Sequence, residues 1–142
     1  MILVSACLAG DNCKYSGGNN LVPEIKELVM QNKAVTACPE QLGTLPTPRP
    51  CSEMHNGRVI NTEGQDVTEQ FMKGAEKALA IYRENHCDKA VLKANSPSCG
   101  IHCIYDGTFT HTLIEGKGCF AKLLEEKGIP CIDEKEYLED LK

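Results

Sequence analysis

The sequence has no tryptophan and only three phenylalanines and four tyrosines. A wide aromatic platform for stacking single-stranded bases is therefore excluded. It has no cluster of lysine and arginine, and acidic residues outnumber basic ones 20 to 15, for a net charge of −5. A chain that grips phosphate backbones needs a basic patch. Nucleic acid is not expected as a partner of this chain alone, whereas a small nucleotide stays compatible. No apolar run approaches the roughly 20 residues of a membrane span. The opening residues, Met1–Gly10, are apolar but lack the basic start of a secretory signal. A cytoplasmic location with no membrane partner is expected. There is no Cys-x-x-Cys pair either, which weakens a thiol-redox reading.

Against these absences stand nine cysteines. The cytosol keeps thiols reduced, so such a count points to metal or catalysis more than to disulfides. The odd total also argues against a fully paired disulfide framework. With 42% hydrophobic and 25% charged residues, the 142-residue chain has a globular composition. Residues 1–142 are expected to form a single domain around one core.

Met1–Cys7 is a short apolar run followed by Gly10, the pattern of a buried strand. Asp11–Asn20 reads as a loop. Pro23 opens a helix with Ile25, Leu28 and Val29 at helical spacing. Ala34–Ala37 is a second strand, leading into Cys38-Pro39-Glu40. In Leu45-Pro46-Thr47-Pro48-Arg49-Pro50, alternate prolines exclude a helix and predict an extended, polyproline-like path. Gly57–Gly64 reads as a short extended excursion. Asp66-Val67-Thr68-Glu69 has the spacing of a capping box. It precedes the longest helix, whose apolar face is Val67, Phe71, Ala75, Ala78, Leu79 and Tyr82. Lys89–Lys93 is a third strand. Ile104–Thr112 predicts a hairpin or extended loop turned at Asp106-Gly107. Gly118–Lys127 is a helix stopped by Gly128, Ile129–Ile132 a fourth strand, and Asp133 and Glu136 cap a last short helix.

This alternation predicts an α/β fold, a Rossmann-like and mostly parallel sheet with helices on both faces. The expected strand order is 2-1-3-4. The ends of strands 2 and 3 would then lie roughly 10 Å apart across strand 1.

Cys7, Cys38 and Cys99 share one topological address, since each stands where a predicted strand runs out into a loop. Ligands of open α/β sheets bind outside those carboxyl ends. Three thiolates delivered there hold a metal on three sides and leave the fourth open, which suits a catalytic centre. An iron–sulfur cube would bridge such loops, whereas a lone Zn²⁺ would need them folded inward more tightly. At this level the metal stays open. Cys87, Cys119 and Cys131 read as small buried hydrophobes. Cys13, Cys51 and Cys103 read as incidental thiols, or as the source of a fourth ligand or a sulfur acceptor.

Glu40, two residues past Cys38, is a cap or solvated side chain or, beside a metal, a general acid or base. Ser96 and Ser98 flank Pro97 as turn formers, or as groups that bond a substrate and shuttle a proton. His102 is the one histidine near a candidate thiol. Arg49 would contact an anion or carbonyl, or form a surface salt bridge. Two non-catalytic readings compete with an enzyme. One is a zinc protein using Cys7, Cys38, Cys99 and one of Cys13 or Cys103; the other is an iron–sulfur or persulfide carrier.

Val4-Ser5-Ala6-Cys7-Leu8, Cys38-Pro39-Glu40, Leu45-Pro46-Thr47-Pro48-Arg49-Pro50, Asp66-Val67-Thr68, Ser96-Pro97-Ser98-Cys99-Gly100 and Ile104-Tyr105-Asp106-Gly107-Thr108-Phe109 together resemble the thiouracil desulfidase family. The resemblance runs from Met1 to about Ile132. It implies a [4Fe-4S] cluster held by Cys7, Cys38 and Cys99, with one open iron for substrate sulfur. It implies Glu40 and Ser96 as the acid/base pair. The implied reaction takes sulfur from a small thiolated pyrimidine, leaving the oxo base and sulfide with no net redox change. The family motifs do not account for Cys13, Cys51 or Cys103.

Overall fold

A computed structural model describes residues 1–142. In chain order the elements are β1 (Ile2–Ser5), a 3₁₀ turn (Ala6–Ala9), α1 (Pro23–Met30), β2 (Ala34–Ala37), α2 (Pro39–Leu42), β3 (Ser52–His55), β4 (Arg58–Asn61), α3 (Thr68–Glu84), β5 (Lys89–Leu92), β6 (Cys103–Tyr105), β7 (Leu113–Glu115), α4 (Cys119–Glu126), β8 (Cys131–Asp133) and α5 (Glu134–Asp140). β2, β1, β5 and β8 form one parallel sheet in that spatial order. This is the 2-1-3-4 order expected of the four principal strands. Ile2 stands opposite Ala34 on one side and Lys89 on the other, so the carboxyl ends of β1, β2 and β5 finish side by side.

Side chains alternate across the sheet, as the pleat requires. Leu3, Ala90 and Leu92 face α3 and α4, where Ala75, Ala78, Leu79, Phe120 and Leu124 complete a core cluster. Val4 and Val91 face the other way, against Ile25 of α1 and Tyr137 of α5. Helices thus cover both faces, as expected of an all-parallel sheet. Full burial of side chains such as Phe120, Leu3 and Leu92 contributes about 1.5–3 kcal/mol each. No helix is long and apolar enough to cross a membrane.

Several local expectations are corrected. The extended excursion expected over Gly57–Gly64 is present as β4, but what was not expected is its partner, since β3 and β4 pair antiparallel around Asn56-Gly57. Both turn residues have positive φ, +49° and +77°, as a type I′ hairpin turn requires. The hairpin in Ile104–Thr112 is longer than a tight Asp106-Gly107 turn. β6 and β7 pair Tyr105 with Leu113 and leave residues 106–112 as a loop. No capping box forms at Asp66–Glu69. Asp66 instead accepts from Thr68 N at 3.0 Å and from Arg58 at 2.9 Å. The Thr68 hydroxyl accepts from Val59 N at 2.8 Å and so ties the β3–β4 hairpin to the start of α3. The box at Asp133 and Glu136 is complete. The proline segment is not a continuous polyproline path. Its Thr47–Pro48 bond is cis, and Arg49 N is tied to the Tyr15 carbonyl at 2.8 Å.

The short α2 was not foreseen. It lies on α3 main chain against main chain. A Cβ on Gly74 would stand 1.7 Å from the Pro39 carbonyl oxygen, and one on Gly43 would stand 1.9 Å from that of Gln70. Gly74→Ala should therefore destabilise the protein by about 1–3 kcal/mol through overpacking, despite a helix-propensity gain of up to about 1 kcal/mol. Urea unfolding monitored by circular dichroism measures this. A midpoint equal to or above that of the wild type would mean that α2 is not held by this contact.

Candidate metal centre and its cavity

The carboxyl ends of β1, β2 and β5 open into a cavity of about 290 Å³ lined by Cys7, Cys13, Cys38, Cys51 and Cys99. Each principal thiol is set by a short turn. Cys7 sits in the 3₁₀ turn after β1, where its carbonyl accepts from Gly10 N and Asn20 N. Cys38 leaves β2 and starts α2, with Pro39 at the first helical position, where its missing N–H costs nothing. Cys99 lies in a turn after β5 that Ser96 organises. The Ser96 hydroxyl oxygen accepts from Ser98 N at 3.1 Å and Cys99 N at 3.0 Å.

Glu40 projects from α2 and is held on both carboxylate oxygens. Arg49 Nε donates to Oε1 at 3.0 Å, and the Ser98 hydroxyl donates to Oε2 at 3.1 Å. Ser96 does not touch Glu40; its hydroxyl reaches the Ser98 hydroxyl at 2.9 Å. The chain of contacts is therefore Ser96, Ser98, Glu40, Arg49. Arg49 is not in a surface salt bridge. It is 9% exposed, and its remaining N–H groups donate to Pro46 O, Thr47 Oγ1 and Cys13 O. A buried ion pair of this kind costs about 3–5 kcal/mol to break from one side.

The thiols differ in acidity for local reasons. Cys38 is lowered to about 7, first by a hydrogen bond from the Cys13 thiol and then by the Gln41 N–H at the start of α2. Cys7 is lowered as well, again chiefly by Cys13. The Cys13 thiol is raised, because its proton serves both neighbours. Burial pushes Cys99 up to about 12, against hydrogen bonds from Ser5 and Ser98. Two of the three principal cysteines are thus biased toward the thiolate that a metal requires.

The spacing of the donors distinguishes between kinds of metal group. Zn–S bonds near 2.3 Å would bring thiolates to roughly 4 Å of one another. The only His, Cys, Asp or Glu trio with ligand atoms mutually within 4.8 Å is His102, Asp133 and Glu136. No three cysteine sulfurs meet that closely, so the donor set fits a polynuclear thiolate-ligated group better than a lone ion.

Cys7, Cys38, Cys99, Glu40 and Ser96 thus line one cavity, and so does Arg49. His102 does not. It is an exposed residue paired with Glu136 at 2.7 Å. Cys103, on β6, also lies outside the cavity lining. Cys87 and Cys131 pack against the α3–α4 cluster, and Cys119 against Val59, Val67 and Phe71, as expected of small hydrophobes. Sequence reasoning missed the direct bond from Ser98 to Glu40 and the placement of Tyr15, Tyr105 and His111 at the cavity. The Ser-Pro-Ser spacing was the only signal for the first. The others depend on contacts between distant segments.

The family model for 2-thiouracil desulfurase matches residues 2–136. The uncharacterized protein YbbK of Bacillus subtilis (strain 168) is 43% identical over 146 residues, covering 96% of this chain and 97% of that one. The solved structure of the [4Fe-4S]-dependent thiouracil desulfidase TudS matches with a TM-score of 0.91 and 38% identity, over 97% of this chain and 93% of that one. The near-complete coverage and the level of identity lead to one conclusion: this chain belongs to the 2-thiouracil desulfurase family.

Proposed function

We propose that this protein is an iron–sulfur-dependent desulfidase that converts a thiolated uracil base, nucleoside or nucleotide and water into the oxo compound and hydrosulfide, with no net redox change. One observation carries this reading: a carboxylate fixed on both oxygens shares a cavity with three strand-end thiols. Membership of the 2-thiouracil desulfurase family supports the same substrate class.

Cys7, Cys38 and Cys99 are the residues that would hold a [4Fe-4S] cluster. Bound with three protein ligands, such a cluster supplies an open Lewis-acidic iron with affinity for soft thiocarbonyl sulfur. Glu40 is the general base, with Oε1 or Oε2 accepting a proton from the water that adds to the thiocarbonyl carbon. Arg49 and Ser98 keep that carboxylate in one orientation, so little reorganisation is needed when the proton moves. Ser96 and Ser98 form a hydroxyl pair at 2.9 Å through which the proton travels toward the leaving sulfur. Overall, C=S and H₂O become C=O and H₂S, and no electrons are exchanged with a partner.

Anaerobic reconstitution followed by incubation with 2- and 4-thiouracil and their nucleosides and nucleotides tests the reading. Thiocarbonyl absorbance should fall as hydrosulfide appears. A colourless, zinc-loaded protein that leaves every thiolated uracil intact would overturn it. Glu40→Ala should retain wild-type iron and sulfide content but lose about 10²–10⁴ in kcat, the usual weight of general acid–base catalysis. Unchanged turnover would remove Glu40 from the mechanism. Cys7→Ala, Cys38→Ala and Cys99→Ala should each lose iron on reconstitution, whereas Cys13→Ala should keep it. The reverse pattern in iron analysis would reassign the ligands.

A further inference from the structure

The aromatic residues are few and unevenly placed. Phe71, Phe120, Tyr82 and Tyr137 are buried in the core. Of the other three, Tyr15 and Tyr105 line the cavity, and His111 joins them there. The rings of Tyr105 and His111 pack edge to face, with centroids 6.1 Å apart and planes at 82°. The desulfuration chemistry assigned to Glu40 and the serines gives these rings no task.

The pair stands on the β6–β7 hairpin, and its loop is costly to hold. Phe109 and His111 have φ of +58° and +60°, a region disfavoured for residues with a Cβ. The support comes from Glu53 on β3. This carboxylate is 5% exposed, and Oε1 accepts from Gly107 N at 2.9 Å and Phe109 N at 3.2 Å. No lysine, arginine or histidine forms an ion pair with it. Burying a carboxylate whose partners are backbone N–H groups is expensive, so its service to the loop is local and specific. Gly107 lies so close to β3 that a Cβ there would stand 2.8 Å from the Met54 carbonyl oxygen.

We propose that Tyr105 and His111 form the aromatic wall against which the pyrimidine ring of the substrate lies, and that Glu53 is the positioning residue that holds this wall at the cavity. The inference rests on the desulfuration reading and adds its ring-binding subsite. A uracil ring is flat, with π faces that stack on aromatic side chains and a polar edge that stays free. Fixing the ring plane restricts how the exocyclic sulfur meets the thiol-bearing end of the cavity, which is the positioning that catalysis requires.

Reconstituted wild-type protein, Tyr105→Ala, His111→Ala, Glu53→Ala and Glu53→Gln are compared by kinetics with 2-thiouracil. They are also compared by calorimetric titration with uracil, which has no sulfur to lose. The alanine variants should raise KM and the uracil Kd about tenfold, the scale of one lost stacking contact. Their kcat should stay within about threefold, because the lost interaction is shared by ground and transition states. Iron content, sulfide content and visible absorbance should not change. Glu53→Gln keeps an oxygen that accepts both N–H groups and should recover most of the affinity. Unchanged KM and Kd in Tyr105→Ala and His111→Ala would overturn the proposal, as would losses confined to kcat. If wild-type protein leaves 2-thiouracil intact, the desulfuration reading fails, while the uracil titration still decides the ring wall.

Discussion

A buried guanidinium joins three segments of the chain that lie apart in sequence. Arg49 comes from the proline-rich stretch after α2. It donates to Glu40 on α2, to the carbonyl of Cys13 in the loop after β1, and to Pro46 and Thr47 beside it. Glu40 and Cys13, like Arg49 itself, line the cavity. Removing the guanidinium would leave a part-buried carboxylate without its counter-ion and take a strong donor from the Cys13 carbonyl, and such losses cost more than the contacts themselves contribute. The position of the Glu40 carboxylate and the path of the Cys13 loop are therefore one problem with one solution.

The sheet solves a different problem. It gathers Cys7, Cys38 and Cys99, far apart in sequence, because β1, β2 and β5 are neighbours running the same way. This part was legible in the sequence. Short apolar runs separated by helical periodicity specify parallel strands, and the strand ends follow. The complete capping box at Asp133 and Glu136 was legible for the same reason, since both partners lie within one turn.

What stayed hidden involves choices between local and distant partners. Asp66 and Glu69 have the spacing of a capping box, yet Asp66 also holds Arg58, and the Thr68 hydroxyl between them serves Val59 N on the neighbouring hairpin. Ser98 resembles a turn former, and its hydroxyl bonds Glu40, 58 residues away. Arg49 is buried by its longer-range acceptors, Glu40 and the Cys13 carbonyl 36 residues away, which nothing beside it announces. The Asn56-Gly57 hairpin is a different case, because the signal was in the sequence as a dipeptide suited to a type I′ turn. Tyr105 and His111 belong to the first kind: only the β3 and β6 segments together bring them to the cavity.

The main-chain contact between α2 and α3 also shapes how this sequence can vary. Most helices are seated by side chains, and a change of shape on one can be absorbed by a change on its neighbour. Here Pro39 and Gln70 meet glycines, and no side chain lies between them to be exchanged. The location of Glu40 is thus written into backbone geometry, and mutation elsewhere on α3 can drift without carrying the carboxylate along. The cost is that Gly43 and Gly74 leave no room for a side chain, so residues away from the cavity are held to a narrow choice by main-chain contact alone.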